Sequence, residues 1–130
     1  MDERPPPPAP GWWLGRVKSF GWAFAGLAHC LRTQANAQIH LGATIIVVTV
    51  GCWVGLATWE WCAVIGAIAL VWMAETFNTA IEMFVDLVSP ERRPLAGKIK
   101  DVAAGAVLAA AMGALAIGVL ICWRRIWPHG

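Results

Sequence analysis

The sequence predicts an all-α integral membrane protein with three transmembrane helices and an N-terminal amphipathic helix that lies in the membrane interface. Of the 130 residues, 58% are hydrophobic and 14% are charged, whereas a soluble domain of this size carries more charge. Three long apolar runs follow one another along the chain, and each approaches the roughly 20 residues that cross a bilayer. These two observations together give the fold class.

The chain begins with a proline-rich segment, residues 1–11, which reads MDERPPPPAPG. Because proline prevents regular secondary structure, we expect a disordered or extended arm here. Residues 12–130 should form one domain. Over residues 12–33, apolar side chains recur every three or four positions between basic ones, which suits a helix in the cytoplasmic interface of a membrane. An ordinary packed helix of a small bundle is the alternative.

Three spanning helices are expected after this segment. A polar junction over residues 34–40 leads into the first, a tight turn at Thr58–Trp61 connects the first to the second, and a polar loop over Ser89–Lys100 connects the second to the third. The expected spans are residues 39–57, 61–88 and 98–123.

The orientation of the spans follows from lysine and arginine. The segment before the first span and the loop before the third are basic, so the positive-inside rule places both in the cytoplasm. Arg124 and Arg125 then fall outside, a conflict that the cytoplasmic segments outweigh.

An acidic stripe distinguishes the second predicted span. Its members follow at spacings of three, four and four, and they are Glu75, Asn78, Glu82 and Asp86. On an α-helix they fall within an arc of about 80°. Glu75 comes about 21 Å along the axis from Trp61, which is inside the hydrocarbon layer. A carboxylate at this depth is costly and indicates function, although helix–helix contact through protonated or paired carboxyl groups is the alternative.

The residues near the acidic stripe limit the kinds of chemistry that it can support. The stripe reaches the same membrane face as a basic cluster, and carboxylates beside basic groups suit Mg²⁺ and polyphosphate. The residues alone leave two classes open: a phosphoryl-transfer enzyme acting on a lipid, and an oligomeric conductor of cations or protons. A conductor would need polar residues along a whole helix, so the apolar halves of these spans favour the enzyme. The net charge of +2 gives no reason to expect a nucleic acid partner.

Two segments carry a resemblance to a known family: AETFNTAIEMFVDLVSP and LAGKIKDVAAGAVLAA. They resemble the prokaryotic diacylglycerol kinase family, including its undecaprenol kinase branch, and the likeness extends over residues 17–121. The resemblance implies a homotrimeric lipid kinase of the bacterial cytoplasmic (inner) membrane that uses ATP and Mg²⁺. Its active site would lie between subunits at the cytoplasmic face, with a lipid alcohol as acceptor.

The resemblance also implies residue roles. Glu75 matches the general base and Asn78 the residue that orients the reacting groups, while Glu82 and Gln34 match positions that bind the metal. The implied nucleotide-binding residues are Arg16, Trp22, Gln34, Glu82, Glu91, Arg92, Arg93, Lys100 and Asp101. Topology-setting charge is the alternative role of the two loop arginines.

Two positions depart from the family pattern. Gln34 stands where many relatives have a second metal-binding Glu, and Arg93 where a loop His is common. An amide oxygen brings no charge, so Mg²⁺ affinity should fall; a differently tuned kinase and an inactive relative both fit this. His29 and His40 are interpreted as interfacial polar residues, and Asp86 as a helix-end contact.

The acceptor is expected to be undecaprenol, because the residues of the motifs are closer to those of the undecaprenol kinase branch. Diacylglycerol is the alternative substrate, and a non-catalytic oligomeric membrane protein is the alternative of another class.

Overall fold

The computed structural model describes residues 11–91 and 93–127, without the side chain of Trp12. The predicted proline-rich arm, apart from Gly11, lies outside the described residues. All regular structure in these ranges is helical. The four helices are α1 (Trp12–Thr33), α2 (Ala35–Val54), α3 (Thr58–Val88) and α4 (Pro94–Ile126). By length and composition α2, α3 and α4 can each cross a membrane, so the all-α class with three spans is confirmed.

The junction between α1 and α2 is a single residue, shorter than the polar junction predicted over residues 34–40. Gln34 has an extended backbone, with φ −108° and ψ 117°, and its N–H donates to Cys30 O over 2.9 Å. Helix α2 then starts at Ala35. Gln38 Nε2 donates to Leu31 O over 3.2 Å and so satisfies a carbonyl that the end of α1 leaves free. The polar residues of this stretch therefore form the connection between two helices and the start of α2, and they do not form a loop.

The turn between α2 and α3 lies at Gly55–Ala57, and the prediction of a turn at Thr58–Trp61 was wrong. Gly55 has φ 69°, a left-handed conformation that glycine adopts without a steric cost, and it ends α2. Glu60 Oε2 accepts the N–H of Ala57 over 2.7 Å. Because this contact caps the first turn of α3, the helix begins at Thr58.

Helix α4 begins at Pro94, earlier than the predicted start at residue 98. Proline is favourable at the first helical position because its missing N–H has no helical partner there. The loop before α4 is therefore shorter than the predicted Ser89–Lys100, and Lys100 lies within the helix.

Helix α3 is central to the packing. It packs along α1, α2 and α4, whereas α4 packs along α3 and reaches α2 through Arg125, whose Nη1 donates to Val54 O. Buried apolar side chains on α3 and α4 face one another, and they include Val64, Val71, Ala103, Val107 and Ala110. The outward surfaces carry exposed large apolar side chains, as expected for helices that face lipid. The arrangement places the Glu75 end of the acidic stripe near α1 and α2, whereas its Asp86 end pairs with Lys100 of α4.

Candidate functional site

The acidic stripe runs from the protein interior to its surface. Glu75 is 1% exposed and Asn78 is 4% exposed, whereas Glu82 is half-buried and Asp86 is exposed. The stripe predicted from spacing is therefore a continuous polar strip along α3. One of its ends is enclosed by protein, and the other is open.

The carboxylate of Glu75 has no hydrogen-bond partner among the described residues, although both of its oxygens are buried. The basic group that faces it is His40 on α2, whose Nε2 lies 4.0 Å from Glu75 Oε2. Thr79 Oγ1 donates to Glu75 O over 3.0 Å and lies 3.2 Å from Cys30 Sγ on α1. Two helices thus enclose a carboxylate whose lone pairs are free. Burying such a group without a partner is costly, which points to a functional demand.

Asn78 and Glu82 form the next step of the stripe. Asn78 Nδ2 donates to Glu82 Oε1 over 3.1 Å, and Asn78 Oδ1 is buried without a partner in the described part of the chain. Within that same part, no cluster of three or more His, Cys, Asp or Glu could hold a metal. Mg²⁺ usually takes one or two carboxylates and completes its shell with water and substrate phosphates. The Glu82 carboxylate, which the Asn78 amide orients, fits that kind of site.

Two ion pairs lie at the open end of the stripe. Lys100 Nζ is 2.5 Å from Asp86 Oδ1, and Arg93 Nη2 is 3.3 Å from Glu91 Oε2. Asp86 thus makes the helix-end contact expected of it. Both pairs are largely exposed, and exposed ion pairs contribute little to stability. The basic groups are therefore available to another anion.

Within the described part of one chain, the remaining predicted site residues make no side-chain hydrogen bond or ion pair with the acidic stripe. Arg16 and Trp22 are exposed on α1, Gln34 is half-buried at the helix joint, and Asp101 is exposed on α4. Helix α4 reaches α2 through Arg125 at the opposite end from the α1–α2 joint. Arg16, Trp22 and Gln34 therefore remain apart from Lys100 and Asp101 within one chain. Arg92 lies outside the described residues.

His40 is the site residue that sequence reasoning missed, since it was interpreted as an interfacial polar group. His40 lies 14 residues before the end of α2 at Val54, and Glu75 lies 17 residues after the start of α3 at Thr58. Because these two separations differ, distance from the turn did not pair the two residues, and their contact is a finding of the structure.

Comparison with known proteins gives concordant matches. The family model of prokaryotic diacylglycerol kinase matches residues 21–122. An undecaprenol kinase from Bacillus subtilis (strain 168) is 40% identical over 104 residues, covering 80% of this chain and 85% of the relative. A diacylglycerol kinase from Synechocystis sp. is 38% identical over 101 residues, covering 77% of this chain and 58% of the relative. The diacylglycerol kinase of Escherichia coli (strain K12) is 28% identical over 109 residues, covering 84% and 89%.

The matched region contains the whole acidic stripe, the loop after it and the Lys100–Asp101 pair. It also contains α2, α3 and nearly all of α4, the helices that can span a membrane. The chain therefore belongs to the prokaryotic diacylglycerol kinase family and is a lipid kinase of the membrane with ATP as its phosphoryl donor.

Proposed function

We propose that this lipid kinase phosphorylates undecaprenol to undecaprenyl phosphate. The support is the Bacillus subtilis relative, which carries the name undecaprenol kinase, is 40% identical and is covered over 85% of its length. Diacylglycerol is the second candidate acceptor. It is favoured by the Synechocystis relative, named diacylglycerol kinase and 38% identical, although this chain spans only 58% of that protein.

The observation that carries the mechanism is the buried Glu75 carboxylate without a hydrogen-bond partner. In the proposed reaction the lipid hydroxyl oxygen attacks the γ-phosphorus of ATP while the bond to the β–γ bridging oxygen breaks. Glu75 takes the proton of that hydroxyl as general base. Asn78, one turn further along α3, orients the reacting groups.

Mg²⁺ is the proposed cofactor, and Glu82 would hold it together with Gln34. When bound, the ion neutralises negative charge on the phosphates. The carboxylate of Glu82 is half-buried, and its Oε1 already accepts the Asn78 amide. That hydrogen bond fixes its orientation and leaves Oε2 for a further partner.

The nucleotide is proposed to bind at the open end of the stripe. Lys100 is held there by Asp86 in a largely exposed pair. Phosphate oxygens can replace Asp86 as its partner at little cost, because exposed pairs are weak. Asp101 follows directly on α4. The loop residues Glu91, Arg92 and Arg93, with Arg16 and Trp22 of α1, complete the proposed nucleotide site.

A homotrimer is proposed because one chain does not assemble these residues. Helix α4 carries Lys100 and Asp101 near its start, whereas its hydrogen bond to α2 is made by Arg125 near its end, far from Gln34. A site that contains them together with Arg16 and Gln34 therefore needs a neighbouring copy. We place the protein in the bacterial cytoplasmic membrane with the open end of the stripe toward the cytoplasm, where ATP is available and the basic loop is favoured.

The test is ATP-dependent phosphorylation of undecaprenol and of diacylglycerol in matched mixed micelles, with purified full-length protein. We expect the higher kcat/KM for undecaprenol. The Glu75→Gln variant serves as the blank for contaminating kinases. A higher kcat/KM for diacylglycerol would replace the proposed substrate with the second candidate. Phosphorylation of neither lipid would mark an inactive relative.

A further inference from the structure

The enclosure of Glu75 limits the routes by which it can lose the proton that it takes from the lipid hydroxyl. If the carboxylate removes a proton from the lipid hydroxyl, it must lose that proton again before the next turnover. Both oxygens are shielded from solvent and neither has a hydrogen-bond partner among the described residues. Release to water would first require the site to open, whereas an acceptor within the protein can take the proton directly.

His40 is the group placed to accept it. Its Nε2 lies 4.0 Å from Glu75 Oε2, about 1 Å beyond hydrogen-bond length. The His40 side chain is 18% exposed whereas that of Glu75 is 1% exposed, so the imidazole connects the enclosed carboxylate with the groove that His40 lines between α2, α3 and α4. An imidazole is suited to accept and release a proton near neutral pH.

The position of His40 is fixed by a second contact between the same helices. Trp72 Nε1 donates to Thr44 Oγ1 over 3.1 Å, and Thr44 Oγ1 donates to His40 O over 2.7 Å. Trp72 precedes Glu75 by about one helical turn, and Thr44 follows His40 by about one turn. The hydrogen bond thus sets the register of α2 against α3 at the height where the imidazole meets the carboxylate.

We infer that His40 is a positioning residue, acting through Glu75, that accepts the proton which Glu75 removes from the lipid hydroxyl. The inference rests on the proposed role of Glu75 as base. In the transfer the O–H bond of protonated Glu75 breaks and an N–H bond forms at His40 Nε2. The imidazolium then releases its proton to water that enters the groove between α2, α3 and α4. The carboxylate is regenerated with no change in oxidation state and no further reactant.

The test is chemical rescue of His40→Ala in the full-length protein. We expect kcat to fall by about 10²-fold, the lower end for acid–base catalysis, with the KM values for lipid and MgATP unchanged. Added imidazole should restore a substantial part of kcat by occupying the vacated space. His29→Ala is the matched control: His29 is an exposed histidine on α1, and its removal should change neither kcat nor the response to imidazole.

Two further variants separate this inference from its alternatives. His40→Gln keeps a polar side chain of similar size and should be as slow as His40→Ala, without rescue. Thr44→Val removes the register contact but keeps the imidazole, so its smaller loss should not respond to imidazole. Unchanged kcat in His40→Ala, or a loss that imidazole leaves untouched in a protein of normal oligomer size, would overturn the role of His40. Normal turnover in Glu75→Gln would instead overturn the proposed base.

Discussion

Arg125 binds both carboxylate oxygens of Glu60 and joins three helices at one end of the molecule. Its Nε donates to Glu60 Oε1 over 3.1 Å and its Nη2 donates to Glu60 Oε2. The same guanidinium donates to Val54 O over 3.2 Å and to Gly55 O over 3.0 Å. It therefore caps the free carbonyls of α2 while linking α4 to the start of α3.

This pair also accounts for the basic residues that conflicted with the expected orientation. Arg125 is neutralised by Glu60, and Arg124 lies 5.1 Å from the centre of the Trp59 ring. Along α3, Glu60 is about 39 Å from Asp86, which pairs with Lys100. The two ion pairs thus hold α3 and α4 together at points separated by about the thickness of a bilayer with its headgroups.

Arg125→Met should lower the midpoint temperature of unfolding in detergent. The buried Glu60 carboxylate would lose two donors and the end of α2 would lose its cap, and unpaired buried groups are destabilising. The double variant Glu60→Gln/Arg125→Met should recover part of the loss, because it leaves no uncompensated charge. Arg124→Met is the control and should change the midpoint less. Equal effects of the two arginine variants would contradict the capping role.

The same turn depends on the absence of a side chain at Gly51. A Cβ there would lie 2.9 Å from Trp61 Cη2 and 3.0 Å from Leu56 Cδ1. Gly51→Ala should therefore destabilise the protein by about 1–3 kcal/mol through overpacking. Gly42→Ala is the matched control on α2, since no atom lies within 4 Å of its added Cβ. Unfolding in detergent with increasing denaturant measures both variants, and equal stability would contradict the packing argument.

The fold was predictable from hydropathy, and the helix ends were not. Three apolar runs are sufficient to predict three spans because burial in lipid requires length and composition alone. The starts at Ala35 and Pro94 depend on single contacts and on proline at the first helical position, neither of which interrupts the hydropathy pattern. The polar residues near Gln34 therefore predicted a loop where the chain forms a helix joint.

The candidate site was likewise predictable from the sequence only in part. The stripe from Glu75 to Asp86 follows from residue spacing within one helix, so sequence was sufficient to place it. His40 and Arg125 meet their partners across contacts between helices, so each pairing depends on the register of one helix against another. Spacing within one helix carries no information on that register, and the sequence analysis placed the α2–α3 turn at Thr58–Trp61 instead of Gly55–Ala57.

Gln34→Glu should lower the Mg²⁺ concentration that gives half-maximal activity, because a carboxylate adds a charged ligand where the amide has none. The residue sits at the α1–α2 joint with its side chain half-buried. Asn36→Glu, two residues later at an exposed position, is the control for added charge alone. Identical Mg²⁺ titrations for wild type and Gln34→Glu would remove Gln34 from the metal site.

The shared site can be tested by mixing two inactive chains. Arg16→Ala and Asp101→Asn should each lose activity alone. If a site combines Arg16 of one copy with Asp101 of a neighbour, trimers reassembled from equal amounts should regain about a quarter of wild-type activity, since half of each contributing position is intact. Native mass measurement checks that mixed trimers form. Mixed trimers without activity, or an active monomer, would refute the shared site.

Glu75→Gln is expected to lower turnover by about 10²–10⁴-fold, the usual contribution of a general base. The amide keeps the shape of the side chain and is less costly to bury than a carboxylate, so folding and oligomer size should be retained. Glu82→Gln should act differently: it weakens the binding of Mg²⁺–ATP, and excess Mg²⁺ should restore part of the activity.

The measurement is steady-state lipid kinase activity against Mg²⁺ concentration, together with oligomer size by native mass measurement. Met83→Leu, an exposed apolar substitution on α3, should leave both unchanged. Near-normal turnover in Glu75→Gln would remove it as the base. Loss of the oligomer in that variant would instead show that the buried carboxylate serves helix contact, because a catalytic base is not required for assembly.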